Sequence, residues 1–347
     1  MTIVDDALNP VPVPAPQATG PTDAKARTRL YRAGVLAAEN FPVQDISERL
    51  AADDAVLWVD LHSPNTDDMA MIAGELGLHR LAVADALGSR QRPKLDRYST
   101  HEFLNMYAVS LDHASGTLQQ SELSAFITPK ALVTVHKDET FDMDAVVARW
   151  DESSDLMTSG VGFLLYGLID HVVDGHFAAV QDLDEEIEQL EDLLFDQGTR
   201  DEELQRRSFA LRKSLVTLRR VVLPMREVVN SLMRRDLHVV DDDMAPYYQD
   251  VYDHVLRATE WTESLRDLVT TILETNLTLQ GNRLNVITKK VTSWAAIIAV
   301  PTAITGWYGQ NLPYPGFASN TGLVTSAALI VGISVGLYVT FKRKDWL

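Results

Sequence analysis

Two long segments without a charge lie near the end of the chain and constrain its structure more than any other feature. Residues 291–308 (VTSWAAIIAVPTAITGWY) and 322–341 (GLVTSAALIVGISVGLYVTF) contain 18 and 20 uncharged residues. A helix rises about 1.5 Å per residue, so each segment can cross a hydrocarbon core about 30 Å thick. Buried core helices are the alternative. Aromatic residues near the segment ends and the KRK after the second segment favour transmembrane helices.

The flanking charges predict how these helices cross the membrane. Lys289 and Lys290 precede the first segment and residues 342–344 follow the second, whereas the loop at 309–321 carries no charge. Basic residues concentrate on the cytoplasmic side of membrane proteins. We therefore expect a multi-pass protein of the plasma (inner) membrane in contact with the lipid bilayer, with N- and C-termini cytoplasmic and only the loop outside.

The rest of the chain is strongly acidic. The formal net charge is −18, and the part up to Glu274 holds 25 of the 31 bases but 48 of the 49 acids. This balance argues against a nucleic-acid partner. The chain has no cysteine, which excludes disulfides and thiolate metal sites. Residues 1–28 lack the basic and apolar regions of a secretory signal, and their Pro, Ala and Thr bias predicts a disordered leader.

Residues 29–140 are expected to form a cytoplasmic α/β domain with a largely antiparallel sheet. Short runs rich in β-branched and aromatic residues predict strands at 55–61, 101–111, 122–129 and 131–137. Two helical patterns lie between the first two of these strands, at 65–79 and 80–88. The first helix is expected to be capped by Asn65 or Thr66.

From residue 141 onward the pattern is helical. Apolar residues recur every three to four positions through 141–245, with a break near Gly198 and a bend or restart at Pro224. A last helix has no strong breaker before Pro301. It is expected to form a stalk at 246–290 and to continue into the first membrane segment, over about 60 residues. A helix of this length needs partners along it, which indicates an oligomer.

The order of these parts resembles that of the CorA family of divalent-cation channels. The turn GWYGQNLPYPG at 306–316 places the family's Gly-x-Asn between the two membrane segments. Further similarities are RQRPKLDRY (90–98), LIDHVVDGHF (168–177), VLPMREVVNSL (222–232), DVYDH (250–254) and the terminal KRKDWL. The resemblance implies an α+β cytoplasmic domain, a long α-helical stalk and two transmembrane helices per subunit, assembled as a CorA-like homopentameric funnel.

The resemblance also implies which residues meet the transported ion. Asn311, with Gly309 and Gln310, would form the selectivity filter at the outer end of a pore lined by the first membrane segment. The family's pore-facing positions correspond to Asn285, Thr288, Val291, Ala299 and Thr302. These residues also recur at helical spacing on one face. Packing against another helix is the alternative for that face, and a simple turn residue is the alternative for Asn311.

Regulatory metal sites follow from the same resemblance. In the family, carboxylates at subunit interfaces of the cytoplasmic domain bind Mg²⁺ and hold the pore closed. Asp85 and Asp250 correspond to these carboxylates, and Asp170 and Asp174 match nearby acids four residues apart. Like charges at this spacing repel unless a cation or base lies between them, although a solvated pair is the alternative. Ala84 replaces the family's usual second acid, which argues against a second ion beside Asp85.

The favoured function is a gated channel for Mg²⁺ influx, with Mg²⁺ as both transported and regulatory ion. Transport of Zn²⁺, Co²⁺ or Ni²⁺ by the same architecture, as in the ZntB group, is the alternative. Gln310 replaces the usual Met of the filter and the outer loop lacks acids, which keeps this alternative open. The ligands available for such metals would be His171, His176 and His254. A non-conducting membrane-anchored sensor is the third hypothesis. No HExxH, P-loop or GxSxG motif indicates an enzyme.

Overall fold

The computed structural model describes residues 25–88, 91–113, 115–138, 140–195, 201–310, 313, 315–317 and 319–347. Within them, one sheet is built from β1 (Lys25–Arg32), β2 (Val35–Glu39), β3 (Ala55–His62), β4 (Lys94–Arg97), β5 (Glu102–Asp112), β6 (Thr117–Ile127) and β7 (Ala131–His136). The strand order is β2-β1-β3-β7-β6-β5-β4. The β3–β7 pair is parallel and the other pairs are antiparallel. The predicted α/β domain with a largely antiparallel sheet is confirmed.

Three strands, β1, β2 and β4, were not predicted from the sequence. β1 begins at Lys25, so residues 25–28 belong to the sheet rather than to the leader. The basic residues of this strand are not typical of a strand in a protein core, so it was missed. Arg29 is buried nevertheless, because it is ion-paired: its Nη1 lies 2.9 Å from Oδ1 of Asp151. A buried charge of this kind is tolerated only when it is paired.

The helices are α1 (Ile46–Arg49), α2 (Thr66–Leu76), α3 (Arg80–Leu87), α4 (Met143–Glu152), α5 (Val161–Phe195), α6 (Asp201–Leu232), α7 (Ala245–Tyr308) and α8 (Asn320–Arg343), with 3-10 turns at Val43–Asp45 and Ser154–Ser159. Asn65 caps α2, since its side-chain oxygen accepts hydrogen bonds from the backbone N–H groups of Asp67 and Asp68. Gly77 ends α2 in the left-handed conformation, with φ of 66°.

The helices cover both faces of the sheet. On one face, α2 and α3 contribute Met69 and Ala82 to an apolar core that also contains Val59. On the other face, α4, α5, α6 and α7 form a second core with the sheet. This second core includes Trp58, Leu104, Trp150, Leu168, Val229 and Tyr248. The α4 helix is thereby packed against α5, the helix that carries Asp170 and Asp174.

The α6 helix continues through Pro224. Of the bend or restart expected at this residue, the restart was therefore wrong. Proline removes one backbone donor and usually breaks a helix interior. Here Val222 and Met225 are fully buried on either side of it. Met225 belongs to the second core, and its packing helps to keep the helix continuous despite the missing hydrogen bond.

The α7 helix is continuous over 64 residues, as the sequence predicted. The described chain divides into two compact units, one with residues up to Gln189 and Phe209–Arg266, and one with Leu190–Ser208 and Asp267–Leu347. The first unit holds the sheet and both cores. The second holds the C-terminal part of α7 and all of α8.

Within the described residues, two helices are long and apolar enough to span a membrane, Val161–Leu194 and Asn320–Arg343. The first is mostly buried inside the protein, whereas the second is almost wholly exposed and contains the predicted segment 322–341. Residues 291–308 of α7 are less apolar because Ser, Thr, Pro and Gly interrupt them. They carry no charge, and most of their side chains are exposed.

Candidate ion path and regulatory acids

The positions predicted to line the pore lie on one exposed face of α7. All five are exposed, namely Asn285, Thr288, Val291, Ala299 and Thr302. Less exposed residues of the membrane segment lie on roughly the opposite side of the helix, at Ser293, Ile297, Val300 and Ile304. The Thr302 hydroxyl donates to the Ile298 carbonyl at 3.2 Å, so its oxygen can still accept a hydrogen bond.

The outer turn follows directly on the end of α7. The Gly309 N–H donates to the carbonyl of Thr305 at 2.8 Å, and the Gln310 N–H donates to Trp307 at 3.3 Å. A Cβ at Gly309 would come within 2.9 Å of the Thr305 oxygen, which explains why glycine stands there. Asn311 lies outside the described residues, so its role in the filter remains a prediction.

Asp85 on α3 is paired with one base and one amide of its own chain. Its Oδ2 lies 2.6 Å from Nζ of Lys94, and its Oδ1 accepts a hydrogen bond from Nε2 of Gln91 at 3.2 Å. Lys94 also lies 2.6 Å from Asp96. Burial lowers the Lys94 pKa, but the hydrogen bonds to Asp85 and Asp96 outweigh it and raise the pKa above its usual value. This pairing was not predicted from the sequence.

Asp170 and Asp174 on α5 share one guanidinium. Nη1 of Arg149 lies 2.6 Å from Oδ2 of Asp170, and Nη2 lies 2.5 Å from Oδ2 of Asp174. Burial raises the pKa of Asp170, and the charge of Asp174 adds to this, while Arg149 opposes it. The base expected between two acids at this spacing is thus Arg149 on α4, which sequence reasoning missed.

Asp250 and His254 lie one turn apart on α7, close to these acids. Nδ1 of His254 is 3.7 Å from Oδ2 of Asp250. Asp170, Asp174 and His254 each offer a ligand atom, and these atoms lie within 4.8 Å of one another. The oxygens suit Mg²⁺, and the imidazole suits borderline metals such as Zn²⁺ and Co²⁺. This donor set therefore fits a divalent cation.

The structure does not bring Asp85 and Asp250 to one site within a chain. Asp85 lies on α3, which covers one face of the sheet, whereas Asp250 lies on α7, which belongs to the core on the other face.

The two other histidines considered for metal binding, His171 and His176, both contact residues of the cytoplasmic domain. His176 is fully buried, with Nε2 2.7 Å from the Tyr107 carbonyl. His171 contacts Phe141 edge-to-face, at 5.7 Å between ring centroids.

Comparison with known proteins decides the family. A family model described as "CorA-like Mg2+ transporter protein" matches residues 53–343. The chain belongs to this family. It is 30% identical over 312 residues to YfjQ of Bacillus subtilis (strain 168), covering 89% of this chain and 94% of YfjQ. It is 29% identical over 294 residues to the cobalt/magnesium transport protein CorA of Thermotoga maritima, covering 84% and 83% of the two chains.

Further similarities extend the comparison to solved structures and to zinc transporters. The complete structure of the CorA magnesium transporter from Methanocaldococcus jannaschii aligns with a TM-score of 0.75 at 23% identity, covering 93% of this chain and 98% of that chain. This likeness shows the fold. The zinc transport protein ZntB of Yersinia enterocolitica is 23% identical over 301 residues, covering 86% and 90% of the two chains. The CorA-like family thus comprises divalent metal ion transporters and is not an enzyme class.

Proposed function

We propose that this CorA-like chain is a gated magnesium channel of the plasma membrane. Residues 291–308 and α8 would cross the bilayer, with both termini in the cytoplasm. A homopentamer would assemble around the axial pore, each subunit contributing the exposed face of α7. The long continuous helix supports this assembly, because its exposed apolar side chains outside the membrane segment require partners. These side chains include Leu277 and Leu284.

The observation that carries the proposal is the polar, small-residue face of α7. Thr302 and Ala299 are exposed in a segment that has membrane length and no charge. A lipid-facing position offers no hydrogen-bond donor to the Thr302 hydroxyl oxygen. A hydrated cation presents water hydrogens on its surface, so hydroxyl oxygens on this face would suit it.

The outer turn supports a neutral filter for a hydrated ion. Mg²⁺ releases its water reluctantly, and carbonyl or amide oxygens can bind the hydration shell without holding the ion too tightly. Asn311, Gln310 and Gly309 would supply such oxygens in each subunit. The C-terminal end of α7 at Tyr308 adds partial negative charge at the same place. This compensates in part for the acid-free loop.

Cytoplasmic Mg²⁺ would close the channel. In the pentamer, Asp85 of one subunit and Asp250 of the next would bind the ion together, with Asp170 and Asp174 nearby. Placement of Asp85 and Asp250 on helices that cover opposite faces of the sheet favours a site shared between subunits over one within a chain. A bound ion shifts the population toward the state that holds both carboxylates, and its loss releases the pore.

Transport of Zn²⁺, Co²⁺ or Ni²⁺ by the same architecture is the second candidate. Two observations favour it: the similarity to ZntB, and the position of His254 beside Asp170 and Asp174. Imidazole nitrogen is a better ligand for these metals than for Mg²⁺. The uncharged filter and the carboxylate pairs favour magnesium.

Because the chain has no cysteine, single introduced thiols can test the pore face directly. Thr302→Cys and Ile304→Cys place a thiol on the exposed and on the less exposed side of α7. A positively charged thiol reagent should block Mg²⁺ flux into liposomes through the Thr302→Cys protein and leave the Ile304→Cys protein conducting. Block of the Ile304→Cys protein alone would contradict the assignment of the pore face.

A further inference from the structure

Arg149 is held across both acids of the α5 pair. Its two terminal nitrogens each meet a different carboxylate, at 2.6 Å from Asp170 and 2.5 Å from Asp174. A guanidinium is always charged and carries donors but no acceptor. A single positive charge thus relieves the repulsion between two acids one turn apart.

The position of Arg149 is fixed by the residue that follows it. Trp150 is fully buried, and its Nε1–H donates to the carbonyl of Leu164 on α5 at 3.1 Å. Its ring also contacts Trp58 of the sheet edge-to-face, with centroids 5.0 Å apart. Gly167 leaves room for the indole at the surface of α5. These contacts hold α4 against α5. Arg149, one residue before Trp150, is thereby placed beside the two acids.

The guanidinium contacts the same two carboxylates that a metal would use. Ligand atoms of Asp170, Asp174 and His254 lie within 4.8 Å of one another, and Arg149 donates to an Oδ2 of each acid. A divalent ion bound between these carboxylates would lie beside the fixed positive charge of Arg149. Like charges in such a small, partly buried space exclude one another. Arg149 and a metal ion therefore compete for the same pair of acids.

We propose that Arg149 is an internal competitor of the regulatory cation, raising the Mg²⁺ concentration at which this site fills and the channel closes. This proposal rests on the proposed function, which makes Asp170 and Asp174 regulatory ligands. Arg149 occupies the acids when metal is scarce and leaves them when metal is abundant. Arg149 thereby helps to set the Mg²⁺ concentration at which the channel closes.

Direct metal binding to the full chain tests the proposal without measuring transport. Purified protein in detergent is titrated with Mn²⁺, whose bound fraction is read by electron paramagnetic resonance, and Mg²⁺ is then used to displace it. Arg149→Gln should tighten the affected site by about tenfold, since hydrogen bonds to charged groups are strong. The gain must vanish in a variant that combines Arg149→Gln with Asp170→Asn and Asp174→Asn. A gain that persists in this triple variant would overturn the proposal.

A matched control and a conservative variant guard against misfolding. Arg219 pairs with Glu263 at 2.9 Å between α6 and α7, with side-chain exposure of 41% against 36% for Arg149. Arg219→Gln should leave Mn²⁺ binding unchanged. Arg149→Lys keeps the charge but loses the double contact, so it should tighten binding by a smaller factor. Unchanged or weaker binding in both Arg149 variants would overturn the proposal.

These measurements distinguish an error in the regulatory role of Asp170 and Asp174 from an error in the competitor role of Arg149. If Asp170→Asn with Asp174→Asn leaves metal binding by the otherwise natural chain unchanged, these acids are not ligands and the regulatory part of the proposed function is wrong. If the same variant weakens binding but Arg149→Gln does not tighten it, only the competitor role of Arg149 is overturned.

Discussion

Gly167 lies directly beneath the indole ring of Trp150. A Cβ on Gly167 would come within 2.5 Å of Nε1 and 2.7 Å of Cδ1 of Trp150, which is closer than any real Cβ contact. The absence of a side chain at Gly167 is thus what allows α4 to approach α5. This approach buries Trp150 and, one residue earlier, sets Arg149 over the acid pair.

We predict that Gly167→Ala destabilises the cytoplasmic domain. The added methyl group must push the indole or the helix away, and overpacking of this kind costs about 1–3 kcal/mol. Unfolding of the full chain in detergent, followed by tryptophan fluorescence, measures the change. Gly74→Ala on α2 is the matched control, because a Cβ there meets nothing within 4 Å. It should be neutral or stabilise by up to about 1 kcal/mol. Equal stability of the two variants would contradict this reading of the contact.

Stability should fall as the pH is lowered through the range set by His176. Burial lowers the pKa of His176 to about 4 in the folded state, against 6.5 for the free side chain, although its hydrogen bond to Tyr107 opposes this. Between these values the unfolded chain binds a proton that the folded chain does not, so acid favours unfolding. His176→Gln should make the pH dependence shallower by about 1.4 kcal/mol per pH unit between pH 6 and 4. Urea unfolding of the full chain in detergent between pH 4 and 7, followed by tryptophan fluorescence, measures the slope, and an unchanged slope in the His176→Gln protein would contradict this role of His176.

The filter assignment predicts that Asn311→Ala abolishes Mg²⁺ uptake while the oligomer stays intact. The amide oxygen would no longer hold the hydration shell of the ion at the outer mouth. Uptake by cells and size-exclusion chromatography of the purified protein measure the two properties. Asn320→Ala, at the start of α8, removes an amide outside the filter and should transport normally. Normal uptake by the Asn311→Ala protein would remove that residue from the filter.

The gating assignment predicts that Asp250→Lys weakens closure by Mg²⁺. A cation at this position repels the regulatory ion at the subunit interface. The Mg²⁺ concentration on the cytoplasmic side that halves the flux should therefore rise, by about tenfold or more for the loss of a charged ligand. Asp253→Lys, three residues along the same helix and exposed, is the control. The same shift in both variants would indicate a general charge effect and contradict a specific site at Asp250.

Much of the fold was predictable because the local patterns are strong. The buried strands β3 and β7 and the long strands β5 and β6 are rich in apolar and β-branched residues. The strands that were not predicted were missed for physical reasons. β1 carries three arginines and a lysine, with Arg29 buried by ion pairing, and β4 has only four residues. Residues 25–28 looked like a continuation of the leader for the same reason.

The candidate site was predictable only where its residues are close in sequence. The spacing of Asp170 and Asp174 indicated a shared cation, but not which one. Arg149 is 21 and 25 residues away, and no local pattern links it to α5. The ion pair between Lys94 and Asp85 was likewise not predictable, since it depends on how β4 lies beside α3. The restart at Pro224 was wrong because burial of Val222 and Met225 on either side of the proline outweighs the missing backbone donor.

Ion flux into liposomes containing the purified chain tests the central claim most directly. Mg²⁺, Zn²⁺, Co²⁺ and Ni²⁺ are supplied in parallel, with an imposed membrane potential and with or without a proton gradient. A gated magnesium channel should pass Mg²⁺ down its electrochemical gradient, need no proton gradient, and close when Mg²⁺ is raised on the cytoplasmic side. Zn²⁺ flux that requires a proton gradient, with no Mg²⁺ flux under any condition, would contradict the account.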